Sequence, residues 1–156
     1  CIRDRLNIAF KDMKDVHVDN RETLKEGISF TIETLREYHS EYENKQHFSL
    51  ILGNDAFASF KSWKNWGEIL NLSSLIVISR PNCDFLEGYL DEFKKNIVSS
   101  SSDFLSGHGK INFVETSMLD ISSSEIRKTI NNSDFNEDTL DGDVYEYIKK
   151  NSLYKN

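Results

Sequence analysis

Three short apolar runs, each closed by glycine or a polar residue, constrain this chain more than anything else in it. They are Phe48-Ser49-Leu50-Ile51-Leu52 before Gly53, Leu75-Ile76-Val77-Ile78 before Ser79-Arg80-Pro81, and Ile111-Asn112-Phe113-Val114. The first two read as buried strands of a parallel sheet, which shows near-continuous hydrophobic runs rather than alternation. Helical periodicity fills the intervals. Ile32, Leu35, Tyr38 and Tyr42 predict a helix over 31–43, and Trp63, Trp66, Ile69 and Leu70 predict a short one. Phe85, Leu86, Tyr89, Leu90, Phe93 and Ile97 share one helical face, and further helices are expected at about 123–131 and 142–150. Ile2, Leu6 and Ile8 to Phe10 fit a helix ending near Lys14, Val16 to Asp19 a short alternating strand, and the serines 99–102 a flexible loop. Strands alternating with helices define an α/β fold with an open parallel sheet. No linker divides the 156 residues, so a single domain over 1–156 is expected.

Charge narrows the function classes. A net charge of −7 argues against broad nucleic-acid binding, where a basic surface supplies most of the affinity. It leaves small anionic ligands open, because a few local cations and helix N-termini suffice to hold a phosphate. Cys1 and Cys83 form neither a disulfide framework nor a metal-ligand spacing, and His17, His39, His47 and His108 include no i, i+4 pair. No apolar run reaches membrane-span length and no signal peptide is visible, so a cytoplasmic protein without membrane partners is expected.

Open parallel sheets bind ligands beyond the carboxyl ends of their strands, so the residues after each apolar run carry the functional reading. Gly53 permits close approach to the backbone, and Asp55 offers a carboxylate to a ribose or an amide. The same residues also suit a plain strand-to-helix turn capped by Asn54 or Asp55. Arg80 presents a donor fork fitted to phosphate or carboxylate, or pairs with a surface acid. Ser122 and Glu125 have capping-box spacing, so a helix starting there would bring free N–H groups, Ser123 and Arg127 together as an anion cradle; a simple capped helix is the alternative. Trp63 and Trp66 offer flat stacking faces, although tryptophan more often packs a core. No nucleophile and base pair announces covalent catalysis.

Taken in order, these blocks resemble the bacterial nicotinate-nucleotide adenylyltransferase family. The similarity is carried by Gly27-Ile28-Ser29-Phe30-Thr31-Ile32-Glu33-Thr34-Leu35, by Leu50 to Phe57 with Phe60 and Trp63, by Leu75 to Pro81, by Ile121 to Arg127, and by the tail Val144 to Tyr154. The resemblance implies a Rossmann-like fold and the transfer of an adenylyl group from ATP, with Mg²⁺, to nicotinate mononucleotide, giving deamido-NAD and pyrophosphate. By position it implies that Trp63 stacks on the pyridine ring and the Lys64 backbone N–H holds its carboxylate. Phe30, standing where the family has Tyr, and Thr31 line that pocket. Asp55 fixes a ribose or amide, Arg80 the mononucleotide phosphate, and Gly53 lies beneath the second nucleotide. Ser122, Ser123 and Arg127 hold the ATP end.

One family block is absent from this sequence: Gly-Gly-x-Phe-Asp-Pro-x-His-x-Gly-His, whose histidines contact the ATP phosphates. The family domain therefore implies about 50 further residues upstream, judged against a typical domain length. No catalytic residue is assigned within the chain, the parallel sheet is expected to be incomplete at its N-terminal βα unit, and the polypeptide alone is expected not to adenylylate at a useful rate. Uncovered apolar sheet surface is a second expectation. A non-catalytic nucleotide-binding fragment, a related transferase with another phosphorylated acceptor, and a homo-oligomer stay open at this point.

Overall fold

The computed structural model describes residues 2–43, 45–79, 88–116, 123–130 and 139–154. In chain order the elements are α1 (Ile2–Ala9), α2 (Arg21–Leu24), α3 (Thr31–Glu41), β1 (Ser49–Gly53), α4 (Asn54–Ala58), α5 (Trp66–Leu72), β2 (Ser74–Ser79), α6 (Ser101–Leu105), β3 (Ile111–Glu115), α7 (Ser123–Thr129) and α8 (Gly142–Lys150). Short 3-10 turns occupy Phe60–Ser62 and Leu90–Phe93. The chain groups into two compact units, Lys25–Met118 and Cys1–Leu24 with Leu119–Asn156.

The larger unit is an open three-stranded sheet in the order β1-β2-β3, parallel throughout, as the apolar runs predict. Its register sets Leu50 opposite Leu75 and Leu52 opposite Val77, with Leu75 opposite Ile111 and Val77 opposite Phe113. Because side chains alternate across a strand, these residues share one face. They pack there with Ile32 and Leu35 of α3, Ile69 and Leu70 of α5, and Phe57, Phe60 and Phe93. Phe57 is the hub, with ring centroids 5.3 Å from Phe93, 5.5 Å from Phe113 and 5.6 Å from Tyr89. The opposite face is more open. Ile51 is 66% exposed and Val114 39%. Beside them Ile76, Asn112, Phe104 and Leu105 line a cavity of about 280 Å³.

In the smaller unit, Ile130, Val144 and Ile148 form a core against Ile8, Ile126, Leu153 and Tyr154. The Tyr147 hydroxyl donates to Asp4 Oδ2 at 2.9 Å, tying α8 to α1. That bond holds the Asp4 carboxyl below its ordinary range and raises Tyr147. Asp141 Oδ1 accepts from the Val144 N–H at 3.0 Å and caps α8, which spans the range expected from the sequence.

Several local expectations are corrected. Val16 to Asp19 form no strand, because Asp19 accepts from the backbone and side chain of Arg21 at 2.7 and 2.6 Å and opens α2 instead. The described part of the 85–97 stretch is no long helix. Gly88 turns at φ +79°, only Leu90–Phe93 coils, and the chain beyond pairs with β3 through Val98 N–H to Ile111 O at 2.9 Å. The serine run is partly helical: Ser100 Oγ accepts from the Asp103 N–H at 3.1 Å, so Ser101 and Ser102 begin α6. The cap of α4 is Gly53 rather than Asn54 or Asp55, which lie inside the helix.

Candidate nucleotide-binding site

The carboxyl end of β1 runs directly into α4, so Gly53 and Asp55 stand at the strand exit where parallel sheets receive ligands. Gly53 has ordinary extended geometry (φ −77°, ψ 165°), and a Cβ added there would meet nothing within 4 Å among the described residues. Neither backbone conformation nor internal packing therefore demands glycine, and what it leaves is space beside the exit. Asp55 is exposed in the first turn of α4. Between them, both amide atoms of Asn54 are buried without a hydrogen-bond partner among the described residues, as is the hydroxyl of Thr116 just past β3. A buried polar group left unsatisfied costs about 1–3 kcal/mol, and native structures keep few of them. Asn54, read from the sequence only as a possible cap, joins the candidate site on that ground.

An aromatic cluster sits on the same unit. Phe60 is fully buried and anchors Trp63 edge-on at 5.6 Å and Trp66 at 6.1 Å. Trp66 continues inward to Phe93 at 5.9 Å and, like Trp63, packs partly buried against the core. Trp63 is half-buried and lies outside α5, at the end of the 3-10 turn. Asn65, at φ +54°, then reverses the chain into α5. Phe30 and Thr31 mark the start of α3, and Phe30 packs against the same core as Trp63. Lys64 joins the two segments: its Nζ stands 4.0 Å from the centroid of the Phe30 ring and donates to Glu33 Oε1 at 2.8 Å. That hydrogen bond is the main cause holding the Glu33 carboxyl below its usual range. A second tie, Arg36 to Glu68 with two bonds of 2.8 and 2.6 Å, fixes α3 against α5.

Ser123 and Arg127 belong to the other unit. Ser123 begins α7 and Arg127 follows one turn later on the same side of the helix. Both line a cavity of about 320 Å³ whose floor is Ile2, Leu6, Ile126, Val144 and Ile148. Arg127 lies 5.9 Å from the Tyr154 ring centroid and Arg5 5.4 Å, so two guanidinium groups flank one aromatic ring at the cavity. The expectations for Arg80 and Ser122 fall outside the described residues. Among the described residues, no group of three or more His, Cys, Asp or Glu side chains is arranged to hold a metal ion, and no helix is long and apolar enough to cross a membrane.

The cytidylyltransferase-like family model matches residues 4–129. A protein of Hahella chejuensis, named "probable nicotinate-nucleotide adenylyltransferase", is 31% identical over 152 residues, covering 96% of this chain and 69% of its own length. Proteins of the same name from Psychromonas ingrahamii (35% identical, 97% of this chain, 72% of theirs) and Yersinia pestis (32%, 88% and 64%) also match. The chain thus spans about two thirds of the length of these relatives. Among solved structures, Plasmodium falciparum nicotinic acid mononucleotide adenylyltransferase complexed with APC superposes at a TM-score of 0.55 with 21% identity, covering 83% of this chain and 60% of that one. Its complex with NaAD gives 0.54 and 22%, covering 81% and 58%.

An open parallel sheet flanked by helices defines the class, the Rossmann-like α/β proteins. Within it, the chain belongs to the cytidylyltransferase-like family, in its nicotinate-nucleotide adenylyltransferase branch.

Proposed function

We propose that the protein of which this chain forms part transfers the adenylyl group of ATP to nicotinate mononucleotide in NAD biosynthesis, releasing pyrophosphate. The observation that carries this reading is the relationship to nicotinate-nucleotide adenylyltransferases along 88–97% of the chain. The half-buried Trp63 beside Phe30 and Lys64 supports it with a platform for a charged aromatic ring.

The 5′-phosphate of the mononucleotide attacks the α-phosphorus of ATP in line, and pyrophosphate leaves. The protein's contribution is to position the two reactants and to stabilise developing charge. In this reading Trp63 stacks on the pyridine ring, the Lys64 N–H meets its carboxylate, and Phe30 and Thr31 border it. Asp55 takes a ribose or amide hydrogen bond, and Gly53 leaves room for the second nucleotide. Arg80 pairs with the mononucleotide phosphate, while Ser122, Ser123 and Arg127 hold the triphosphate end. Mg²⁺ enters with ATP as part of the substrate, bound mainly by phosphate oxygens and water. In this reading the reaction is cytoplasmic.

Calorimetric titration of the chain with nicotinate mononucleotide and, separately, with MgATP tests the reading. Saturable binding of both is expected, with no competition from pantetheine phosphate. A chain that ignores nicotinate mononucleotide, or that binds pantetheine phosphate in its place, overturns it.

A further inference from the structure

We propose that His39, His47 and His108 form a proton-operated latch at the amino end of the sheet. With the imidazoles neutral, the segments before β1 and β3 stay closed on the start of β2, and protonation of His47 or His108 opens this end ahead of the rest of the fold.

Each histidine comes from a different segment: His39 from the last turn of α3, His47 from the approach to β1 and His108 from the turn before β3. His108 lies at the centre, its ring centroid 5.2 Å from His47 and 5.4 Å from His39. Aromatic rings wall the group, with Phe48 edge-on to His39 at 4.8 Å and Phe104 of α6 edge-on to His47 at 5.7 Å. The same segments are bonded to the start of β2. The Ser74 N–H donates to the Phe48 carbonyl at 2.9 Å, the Gly109 N–H to Ser73 at 3.0 Å and the Leu75 N–H to Lys110 at 2.7 Å. Ser73 and Ser74 are fully buried. The cluster thus sits against the bonds that close this end of the sheet.

An added proton finds poor accommodation there. His39 is 5% exposed and its Nε2 donates to the Leu72 carbonyl at 2.6 Å. His47 Nε2 is buried with no hydrogen-bond partner among the described residues, so protonation there creates a charged donor without an acceptor, which disfavours the closed state. A cation on either His47 or His108 also faces the other ring at 5.2 Å, where two like charges repel. The groups whose charge acts on His108 are His47 and His39, with no carboxylate among them. On the surrounding segments, Glu43 pairs with Lys45, Ser100 donates to the Asp103 carboxylate, and Glu68 of α5 pairs with Arg36. Tyr38 and Tyr42 turn to Phe48, Glu41 ends α3, and Lys110, a further cation, follows His108 by two residues. Burial first, and the neighbouring imidazoles after it, hold His108 below its ordinary protonation range, against a backbone hydrogen bond with Gln46 that works the other way.

Amide hydrogen exchange on the full chain, read at pH 7.5 and 5.5 and corrected for the intrinsic pH dependence of exchange, tests the latch. The Ser74, Leu75 and Gly109 amides are expected to be less protected than Val77 and Ile78 further along β2, the mark of a local opening. Their protection should fall about tenfold at the lower pH, because the open state binds the extra protons. His108→Gln and His47→Phe, made separately so that one folding failure does not decide the matter, should each cut that fall to less than about threefold. Equal protection of the two groups of amides at both pH values would show global unfolding only and overturn the latch. Local protection that ignores pH, or a tenfold fall that persists in a folded variant, overturns it as well.

Discussion

The imidazole rings of His47 and His108 stand 5.2 Å apart, and His39 closes on His108 at 5.4 Å, so three histidines from distant parts of the sequence meet beside the amino end of the sheet. His39 Nε2 is engaged by the Leu72 carbonyl at 2.6 Å, and His47 Nε2 is buried with no hydrogen-bond partner among the described residues. Burial, followed by the neighbouring imidazoles, lowers the His108 pKa from its ordinary 6.5.

The sign of the resulting pH dependence follows from proton counting. A histidine whose folded pKa lies below its unfolded value binds fewer protons when folded, so stability rises with pH across that interval. The contribution is present above about pH 6.5 and is lost as pH falls through the unfolded value toward the folded one. Thermal melts of the chain should show a lower midpoint at pH 5.5 than at pH 7.5. His108→Gln should reduce that difference, and an unchanged slope would assign the acid sensitivity to other groups.

Phe57 supports both core and site, since it lies in the helix that leaves the β1 exit and its ring touches Phe93, Phe113 and Tyr89. Its carbonyl also accepts the Tyr89 hydroxyl at 2.6 Å. Phe57→Ala should cost about 3–5 kcal/mol in urea unfolding, through lost transfer energy and the cavity left behind. Phe57→Leu should cost clearly less, because most of the volume remains.

How much of this was legible in the sequence follows from what each signal measures. Leu75 to Ile78 and Leu50 to Leu52 declared strands because burial on a parallel sheet leaves a continuous apolar mark, and Gly53 declared the exit. Val16 to Asp19 misled because alternation over four residues carries no information about a pairing partner, whereas Asp19 had a local one in Arg21. The Phe93 and Ile97 periodicity was real as burial, but Gly88 and the pairing of Val98 with β3 decided the backbone. Within the candidate site, Trp63, Gly53 and Asp55 were readable from position relative to the strand. The Lys64 contacts to Phe30 and Glu33 were not, since they join residues 34 and 31 apart that only the packing of α3 against α5 brings together. The histidine cluster was invisible for the same reason.

Arg127 provides a test in the smaller unit. If it holds the triphosphate, Arg127→Ala should weaken MgATP binding about 10- to 100-fold, the range of a lost charge-assisted hydrogen bond. Nicotinate mononucleotide affinity should be unchanged. Loss of thermal stability without loss of ATP affinity would instead assign Arg127 to its packing near Tyr154.

Gly53 separates ligand from scaffold most cleanly. Its φ of −77° is one any residue adopts, and an added methyl would meet no atom of the described residues within 4 Å. Gly53→Ala is therefore expected to leave folding stability within about 0.5 kcal/mol, or to raise it slightly by restricting the unfolded chain. In the nucleotide-binding reading that same methyl projects into space the second nucleotide occupies, so MgATP affinity should fall at least about tenfold, a loss of about 1.4 kcal/mol. Paired urea unfolding and calorimetric titration measure the two quantities on one sample. A variant that folds like the wild type and binds MgATP equally well would show that the space beside Gly53 is not where the nucleotide lies.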